Sequence, residues 1–129
     1  MLWVEADDPQ FAALVAGFEA LRTELNQDAW LGLTRFDLQL AHYPANGARY
    51  VRHRDAFAAS NQRRVTAIVY LNPDWKPADG GLLRLHTDPP VEIEPRLGQS
   101  VIFLAAKVEH EVLPSWARRL AATGWYDGT

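Results

Sequence analysis

The spacing of apolar residues changes along the chain, first following a helical period and then a period of two. Asp8 and Pro9 are typical of a helix start, an N-cap carboxylate followed by proline at the first helical position. Apolar side chains then share one helical face, at Phe11, Leu14, Val15, Phe18, Leu21 and Leu25. This stripe predicts one scaffold helix over residues 8–26 that covers one face of a sheet.

From residue 34 onward the pattern is that of short strands. The stretch "RFDLQLAHY" alternates between two faces, and "RRVTAIVYLN" does the same with many β-branched residues. Turns rich in Pro, Gly, Asn and Asp separate further strands, predicted at 82–86, 91–93, 100–104, 108–113 and 120–126. Seven strands behind one helix predict a mainly β fold, a sandwich or jelly roll, with its core over residues 34–126.

Composition narrows the class of protein. A length of 129 residues predicts a single domain over 1–129, and 48% hydrophobic residues argue against disorder. The net charge of −3 and the lack of a basic stripe speak against nucleic acid as a partner. No cysteine is present, which excludes disulfides, thiol catalysis and cysteine-based zinc sites. Apolar runs are shorter than a membrane span, so we expect a cytoplasmic protein with no membrane partner.

Candidate metal ligands lie in the stretch "HYPANGARYVRHRD". His53 and Asp55 are two residues apart, so on an extended segment both project to one face and could bind one metal ion. A third ligand, His110, lies on a later strand, where only the fold could bring it to the other two. Two histidines and one carboxylate suit non-haem Fe(II) with open coordination positions. The alternative for His110 is a partly buried histidine hydrogen-bonded to a neighbour.

Arg119 begins an otherwise apolar strand, and burying a guanidinium there is costly unless an anion meets it. A dicarboxylate co-substrate would supply that anion through two parallel hydrogen bonds. The alternative is an ordinary surface salt bridge. Tyr70 closes the strand "AIVYLN", where its hydroxyl needs a partner if it is buried, although simple core packing also accounts for a tyrosine there.

Taken together, these residues resemble the prolyl 4-hydroxylase branch of the Fe(II)/2-oxoglutarate-dependent oxygenases. Six segments match the family in order and spacing between Phe36 and Trp125: "YPANGARYVRHRD", "RRVTAIVYLNPDW", "GGLLRLH", "IEPRLGQSVIFL", "HEVLP" and "RLAATGWY". The resemblance is closest to the bacterial and hypoxia-sensing type rather than to the collagen type. It implies a double-stranded β-helix (jelly roll) with iron at its mouth and one N-terminal helix on the outer sheet.

The resemblance also implies roles for individual residues. His53, Asp55 and His110 match the iron triad. Arg119 matches the arginine that binds the 5-carboxylate of 2-oxoglutarate, and Tyr70 matches the tyrosine that assists it. The implied cofactors are Fe(II), 2-oxoglutarate and O₂, with ascorbate as the reductant.

Three further positions match residues around the same pocket. Tyr43 matches a tyrosine that lines the co-substrate pocket, and Trp125 matches a tryptophan on the last strand near the active site. Arg63 falls where related enzymes keep a substrate-contacting arginine at the rim, although the loop before it differs in length by one residue. That loop, "AFAASNQ", is short and only one helix precedes the core, so the apparatus that holds the substrate looks reduced.

These matches predict a dioxygenase that hydroxylates a C–H bond and releases succinate and CO₂. The preferred substrate is a prolyl residue in a protein or peptide. Two alternatives stay open: a hydroxylase of a small molecule, and a non-catalytic jelly roll that binds a metal or a partner. The sequence leaves the oligomeric state open.

Overall fold

Two antiparallel β-sheets make up most of the computed structural model, which describes residues 1–56 and 62–128. Most of the loop "AFAASNQ" lies outside the described residues. One α-helix, α1, spans Ala12–Ala29. The strands are β1 Leu2–Val4, β2 Leu33–Tyr43, β3 Ala48–His53, β4 Arg63–Tyr70, β5 Leu83–Leu85, β6 Val91–Ile93, β7 Ser100–Leu104, β8 His110–Ser115 and β9 Arg119–Gly128.

The two sheets have the strand orders β1-β2-β9-β4-β7 and β3-β8-β5-β6. We call them the five-stranded and the four-stranded sheet. Some neighbouring strands are far apart in sequence, since β9 lies between β2 and β4 in the five-stranded sheet. This arrangement confirms the predicted jelly roll with one N-terminal helix. No helix in the described part of the chain is long and apolar enough to cross a membrane.

The helix does not have the predicted bounds of 8–26. Asp8 caps a short 3₁₀ turn at Pro9–Phe11, where its Oδ1 accepts a hydrogen bond from the Gln10 backbone N–H at 3.0 Å, and α1 starts only at Ala12. At the other end α1 continues to Ala29. Trp30 then ends it in the left-handed conformation, at φ 53°, with its N–H bonded to the Asn26 carbonyl.

Helix α1 packs on the outer face of the five-stranded sheet through Phe18. A Cβ on Gly124 in β9 would lie 2.5 Å from the Phe18 ring, so only glycine allows this approach. The Tyr126 hydroxyl donates a 2.6 Å hydrogen bond to the Phe18 carbonyl. The apolar stripe of the helix therefore covers the sheet, and it forms one core with Leu33, Leu38, Val65, Ala67, Ala122 and Tyr126.

A second core fills the space between the two sheets. It contains Ile68, Tyr70, Leu83, Leu85, Val101, Phe103, Val112 and Ala121. Alternation along β4 and β9 explains both cores, because successive side chains of one strand point to opposite faces. One face meets the helix and the other meets the four-stranded sheet.

Several strand bounds differ from the prediction. Strand β1 was not predicted. The other strands span Leu33 to Gly128, whereas the predicted core spanned residues 34–126. Strand β8 begins at His110 rather than at Val108, because the backbone N–H groups of Lys107 and Val108 both donate to the Leu104 carbonyl and close a turn. The predicted bounds of β6 and β7 are confirmed.

Candidate active site

The fold brings three predicted metal ligands together between the ends of two strands. His53 is the last residue of β3 and lies opposite His110, the first residue of β8. Asp55 follows two residues after His53, and its Oδ1 lies 3.1 Å from His53 Nε2 and 3.3 Å from His110 Nε2. One ligand atom from each residue lies within 4.8 Å of the others.

Backbone carbonyls orient both imidazole rings. Nδ1 of His53 lies 2.7 Å from the Val51 carbonyl oxygen, and Nδ1 of His110 lies 3.1 Å from the Val108 carbonyl oxygen. Each ring therefore donates from Nδ1, which leaves Nε2 to bind a metal. Two imidazole nitrogens and one carboxylate oxygen converging in this way fit Fe(II), and they leave room for further ligands.

Asp55 is held in its ionised form. Burial alone would raise its pKa, but the neighbouring imidazoles of His110 and His53 and the hydrogen bond from Thr66 outweigh burial and hold the pKa of Asp55 well below its usual range. The Thr66 hydroxyl donates to Oδ2 at 2.7 Å, so Oδ1 is the oxygen next to the histidines. No sequence pattern singled out Thr66, because a threonine in a β-branched stretch is already explained as a strand former.

A cavity of about 330 Å³ adjoins this cluster and lies between the sheets. Its floor consists of alternate residues from three adjacent strands, which the register aligns: Tyr43 lies opposite Arg119, and Tyr70 lies opposite Ala121. The floor residues are Gln39, Ala41 and Tyr43 from β2, Thr66, Ile68 and Tyr70 from β4, and Arg119, Ala121, Thr123 and Trp125 from β9.

Arg119 closes one end of the cavity and is 2% exposed. Its Nε donates to the Gly81 carbonyl at 2.8 Å, and its guanidinium carbon lies 5.2 Å from the Tyr43 ring centre and 5.1 Å from that of Tyr70. No acidic side chain pairs with it within residues 1–56 and 62–128. The alternative reading of Arg119 as part of a surface salt bridge is therefore wrong. The neighbouring Arg118, by contrast, is exposed.

The Tyr70 hydroxyl is buried beside Arg119 and has no hydrogen-bond partner among the residues that the structure describes. Burial raises the pKa of Tyr70, and the positive charge of Arg119 offsets part of this rise. A buried hydroxyl without a partner costs free energy, about 1–3 kcal/mol. A carboxylate bound between Arg119 and Tyr70 would accept hydrogen bonds from both side chains, so this end of the cavity fits the far carboxylate of 2-oxoglutarate.

The other end of the cavity, which we call the mouth, is lined by Trp3, Arg54, Arg63 and Trp125. The Trp3 and Trp125 ring centres are 5.7 Å apart, and the Arg63 guanidinium carbon lies 4.5 Å from the Trp125 ring centre. Trp125 lies opposite Thr66, six residues along β9 from Arg119, and so it is nearer to the metal cluster than to Arg119. Trp3 was missed because β1 is too short to show a pattern.

Comparisons with known proteins identify the family of this chain. The model of the 2OG-Fe(II) oxygenase superfamily matches residues 38–127. The chain belongs to this superfamily.

Two curated relatives, from a nematode and from human, match about two thirds of this chain. A Caenorhabditis elegans protein, "Hypoxia-inducible factor prolyl hydroxylase", is 42% identical over 92 residues, which are 67% of this chain and 13% of that protein. Human "Egl nine homolog 1" is 39% identical over 97 residues, 71% of this chain and 22% of that protein. The chain thus spans less than a quarter of the length of these two relatives.

Solved structures of prolyl hydroxylases have the same fold. A Pseudomonas putida prolyl-4-hydroxylase superposes with a TM-score of 0.91 at 38% identity, covering 98% of this chain and 72% of that one. A Trichoplax adhaerens prolyl hydroxylase, solved with a hypoxia inducible factor peptide fragment, has a TM-score of 0.87 at 30% identity. It covers 98% of this chain and 61% of that one. The similarity extends over nearly the whole of this chain.

Proposed function

We propose that this chain is an Fe(II)- and 2-oxoglutarate-dependent dioxygenase that hydroxylates a prolyl residue in a protein or peptide. The observation that carries the proposal is one cavity with a complete metal-ligand set beside a buried arginine that has no acidic partner among the described residues. The names of the relatives support the prolyl substrate.

In this proposal the floor of the cavity holds the co-substrate. His53, Asp55 and His110 hold Fe(II), while Arg119 and Tyr70 bind the far carboxylate of 2-oxoglutarate. Tyr43 lies against Arg119 and limits the width of the pocket at that end. Trp125 forms the wall near the metal, and Arg63 contacts the substrate at the mouth.

Iron and 2-oxoglutarate, when bound, supply the electrons that split O₂, so that one oxygen atom enters the C–H bond and the other enters succinate as CO₂ leaves. The protein's part is to position the reactants and to shield them from water. The buried guanidinium of Arg119 orients the co-substrate, and the ionised Asp55 keeps its charge for the metal.

Three predictions from the sequence stay predictions: ascorbate as the reductant, a cytoplasmic location, and a single domain over 1–129.

Turnover of 2-oxoglutarate tests the proposal directly. Purified protein with Fe(II), ascorbate, O₂ and 2-oxoglutarate should release succinate slowly without its substrate, and His53→Ala should abolish both the release and tight metal binding. If wild-type protein releases no succinate and His53→Ala binds metal equally well, the oxygenase proposal fails.

The same assay separates the alternatives left open by the sequence. A prolyl hydroxylase raises succinate release in the presence of a protein substrate, which gains one oxygen atom per hydroxylated residue in the mass spectrum. Mass spectrometry of a host proteome with and without the protein identifies such peptides. A hydroxylase of small molecules releases succinate and modifies no peptide, whereas a non-catalytic binder holds metal without releasing succinate.

A further inference from the structure

Arginine side chains cluster around the mouth of the cavity, although the net charge of the chain is negative. Between residues 49 and 64 the sequence has five arginines and one acidic residue, Asp55, whereas the chain has a net charge of −3. Two of these arginines, Arg54 and Arg63, line the cavity. The segment 57–61, outside the described residues, has no charged residue in its sequence. The mouth therefore carries a local charge opposite to that of the protein.

Arg54 and Arg63 both lie next to Asp55, on the route to the proposed metal. Arg54 precedes Asp55 in the chain, and Arg63 Nη1 donates to the Asp55 carbonyl at 3.4 Å. An extended peptide advances about 3.3 Å per residue. Side chains one to three residues from the reacting residue of a bound peptide would therefore come within reach of these two guanidinium groups.

Glu109 does not cancel this charge. Its carboxylate is shared by two arginines, at 2.6 Å from Arg52 Nε and 3.0 Å from Arg54 Nη2. One carboxylate between two guanidinium groups leaves a net positive charge at the end of β3. The side chain of Arg54 is 46% exposed.

Two acidic residues near the mouth, Asp37 and Asp127, do not line the cavity. They lie on the strands that carry the cavity floor and share one partner, Arg35, at 2.6 Å each, which leaves one net negative charge outside the cavity. Among the lining residues that the structure describes, Asp55 is the only acidic one. It is enclosed by two histidines, and a bound divalent cation would offset its charge.

We propose that Arg54 and Arg63 bind a carboxylate of the substrate peptide, from an Asp or Glu within a few residues of the hydroxylated position. The inference rests on the proposed function and adds acidic peptides as the substrate class. Arg54 is the specificity-determining residue, because it is exposed and held at the cavity by Glu109. Guanidinium and carboxylate groups can form two parallel hydrogen bonds, which favours Asp or Glu over a neutral amide.

The test is selection of peptides by binding, without turnover. Immobilised full-length protein is loaded with Mn(II) and 2-oxoglutarate under nitrogen and exposed to a peptide library with proline at the centre and random flanking residues. The variants are Arg54→Gln and, as a matched control, Arg96→Gln, since Arg96 is also exposed and paired with one glutamate, Glu94, but does not line the cavity.

Asp and Glu should be enriched at one or two flanking positions by wild-type protein and by Arg96→Gln. The enrichment should fall about five-fold in Arg54→Gln and weaken as salt is added, as expected for a partly exposed ion pair. Arg54→Glu should instead select Lys or Arg at the same positions. Equal enrichment of charged and neutral residues, preference for basic residues by the wild type, or an acidic preference unchanged in Arg54→Gln would each overturn the proposal.

This outcome is separate from that of the proposed function, because selection uses Mn(II) and needs no hydroxylation. Release of succinate with no acidic preference would leave the dioxygenase in place and remove only the acidic substrate class. An acidic preference without release of succinate from the Fe(II) protein would leave a binding site for acidic peptides and remove the dioxygenase.

Discussion

The Thr66 hydroxyl donates a 2.7 Å hydrogen bond to Oδ2 of Asp55, while Oδ1 of the same carboxylate lies next to both histidines. Thr66 is fully buried, so this bond fixes which oxygen of Asp55 is free for a metal. Side chains that orient metal ligands typically change metal affinity 10- to 100-fold when they are removed. Thr66→Val should therefore weaken Mn(II) binding by about 10- to 100-fold, measured by calorimetry or by electron paramagnetic resonance.

Thr66→Ser is the matched control, because it keeps the hydroxyl and loses only a methyl group. Thr66→Ser should keep most of the wild-type metal affinity even if its free energy of unfolding is lower than that of the wild type. A Thr66→Val protein that binds Mn(II) as tightly as the wild type would show that Asp55 needs no orienting partner.

Replacement of Arg119 should affect 2-oxoglutarate far more than the metal. Arg119 is buried without an acidic partner in the described part of the chain, and it lies on the cavity floor away from the histidines. Arg119→Ala should weaken 2-oxoglutarate binding about 100-fold, the loss of two charge-assisted hydrogen bonds, with Mn(II) affinity nearly unchanged. Binding is measured by titrating 2-oxoglutarate into the Mn(II) protein.

Arg118→Ala provides the control for Arg119, since Arg118 is adjacent in sequence but exposed. It should leave both affinities unchanged. Arg119→Lys should fall between wild type and Arg119→Ala, because lysine keeps the charge but lacks the planar fork of donors. Equal affinity for 2-oxoglutarate in wild type and Arg119→Ala would exclude Arg119 from the proposed role.

The chemistry of the site was more predictable from the sequence than the exact bounds of its elements. The i, i+2 spacing of His53 and Asp55 predicted that they could share one metal ion, and the structure brings them together although β3 ends at His53. The strands β6 and β7 were predicted with their observed bounds because turns flank them closely. The predicted start of the helix was wrong because an Asp-Pro pair can begin a 3₁₀ turn as well as an α-helix. The predicted end was wrong because Trp30 ends α1 in the left-handed conformation, for which glycine is the usual sequence signal.

Residues whose roles depend on distant partners could not be predicted from local patterns. Thr66 and Asp55 are eleven positions apart and meet only through the fold. Strand β1 has three residues, too few for a periodic signal, yet its pairing with β2 brings Trp3 to the mouth. The Gly81 carbonyl accepts a hydrogen bond from Arg119 Nε, a contact between residues 38 positions apart that no local pattern indicates.

Two buried tyrosines should respond in opposite ways to loss of the hydroxyl. The Tyr70 hydroxyl has no partner among residues 1–56 and 62–128, so Tyr70→Phe should raise the free energy of unfolding of the metal-free protein by about 1 kcal/mol. The Tyr126 hydroxyl donates to the Phe18 carbonyl, so Tyr126→Phe should lower it by about 1 kcal/mol. Urea denaturation measures both changes.

Affinity for 2-oxoglutarate should separate the same two variants. Tyr70→Phe should bind it about five-fold more weakly, the loss of one hydrogen bond, while Tyr126→Phe should bind it like wild type. A Tyr70→Phe protein that is more stable and binds 2-oxoglutarate with undiminished affinity would show that the hydroxyl has no part in the site.

The contact of helix α1 with the sheet depends on the missing side chain of Gly124. An alanine Cβ there would lie 2.5 Å from the Phe18 ring, too close for any real contact, so the ring or the helix must shift. Overpacking of this kind costs about 1–3 kcal/mol, and Gly124→Ala should lower the free energy of unfolding by that amount.

Gly17 in α1 is the control, because no described atom lies within 4 Å of its added Cβ. Gly17→Ala should raise the free energy of unfolding by about 0.5–1 kcal/mol through helix propensity. Urea denaturation of both variants measures the two shifts, and destabilisation by both alanines would contradict the assignment of the effect to Phe18.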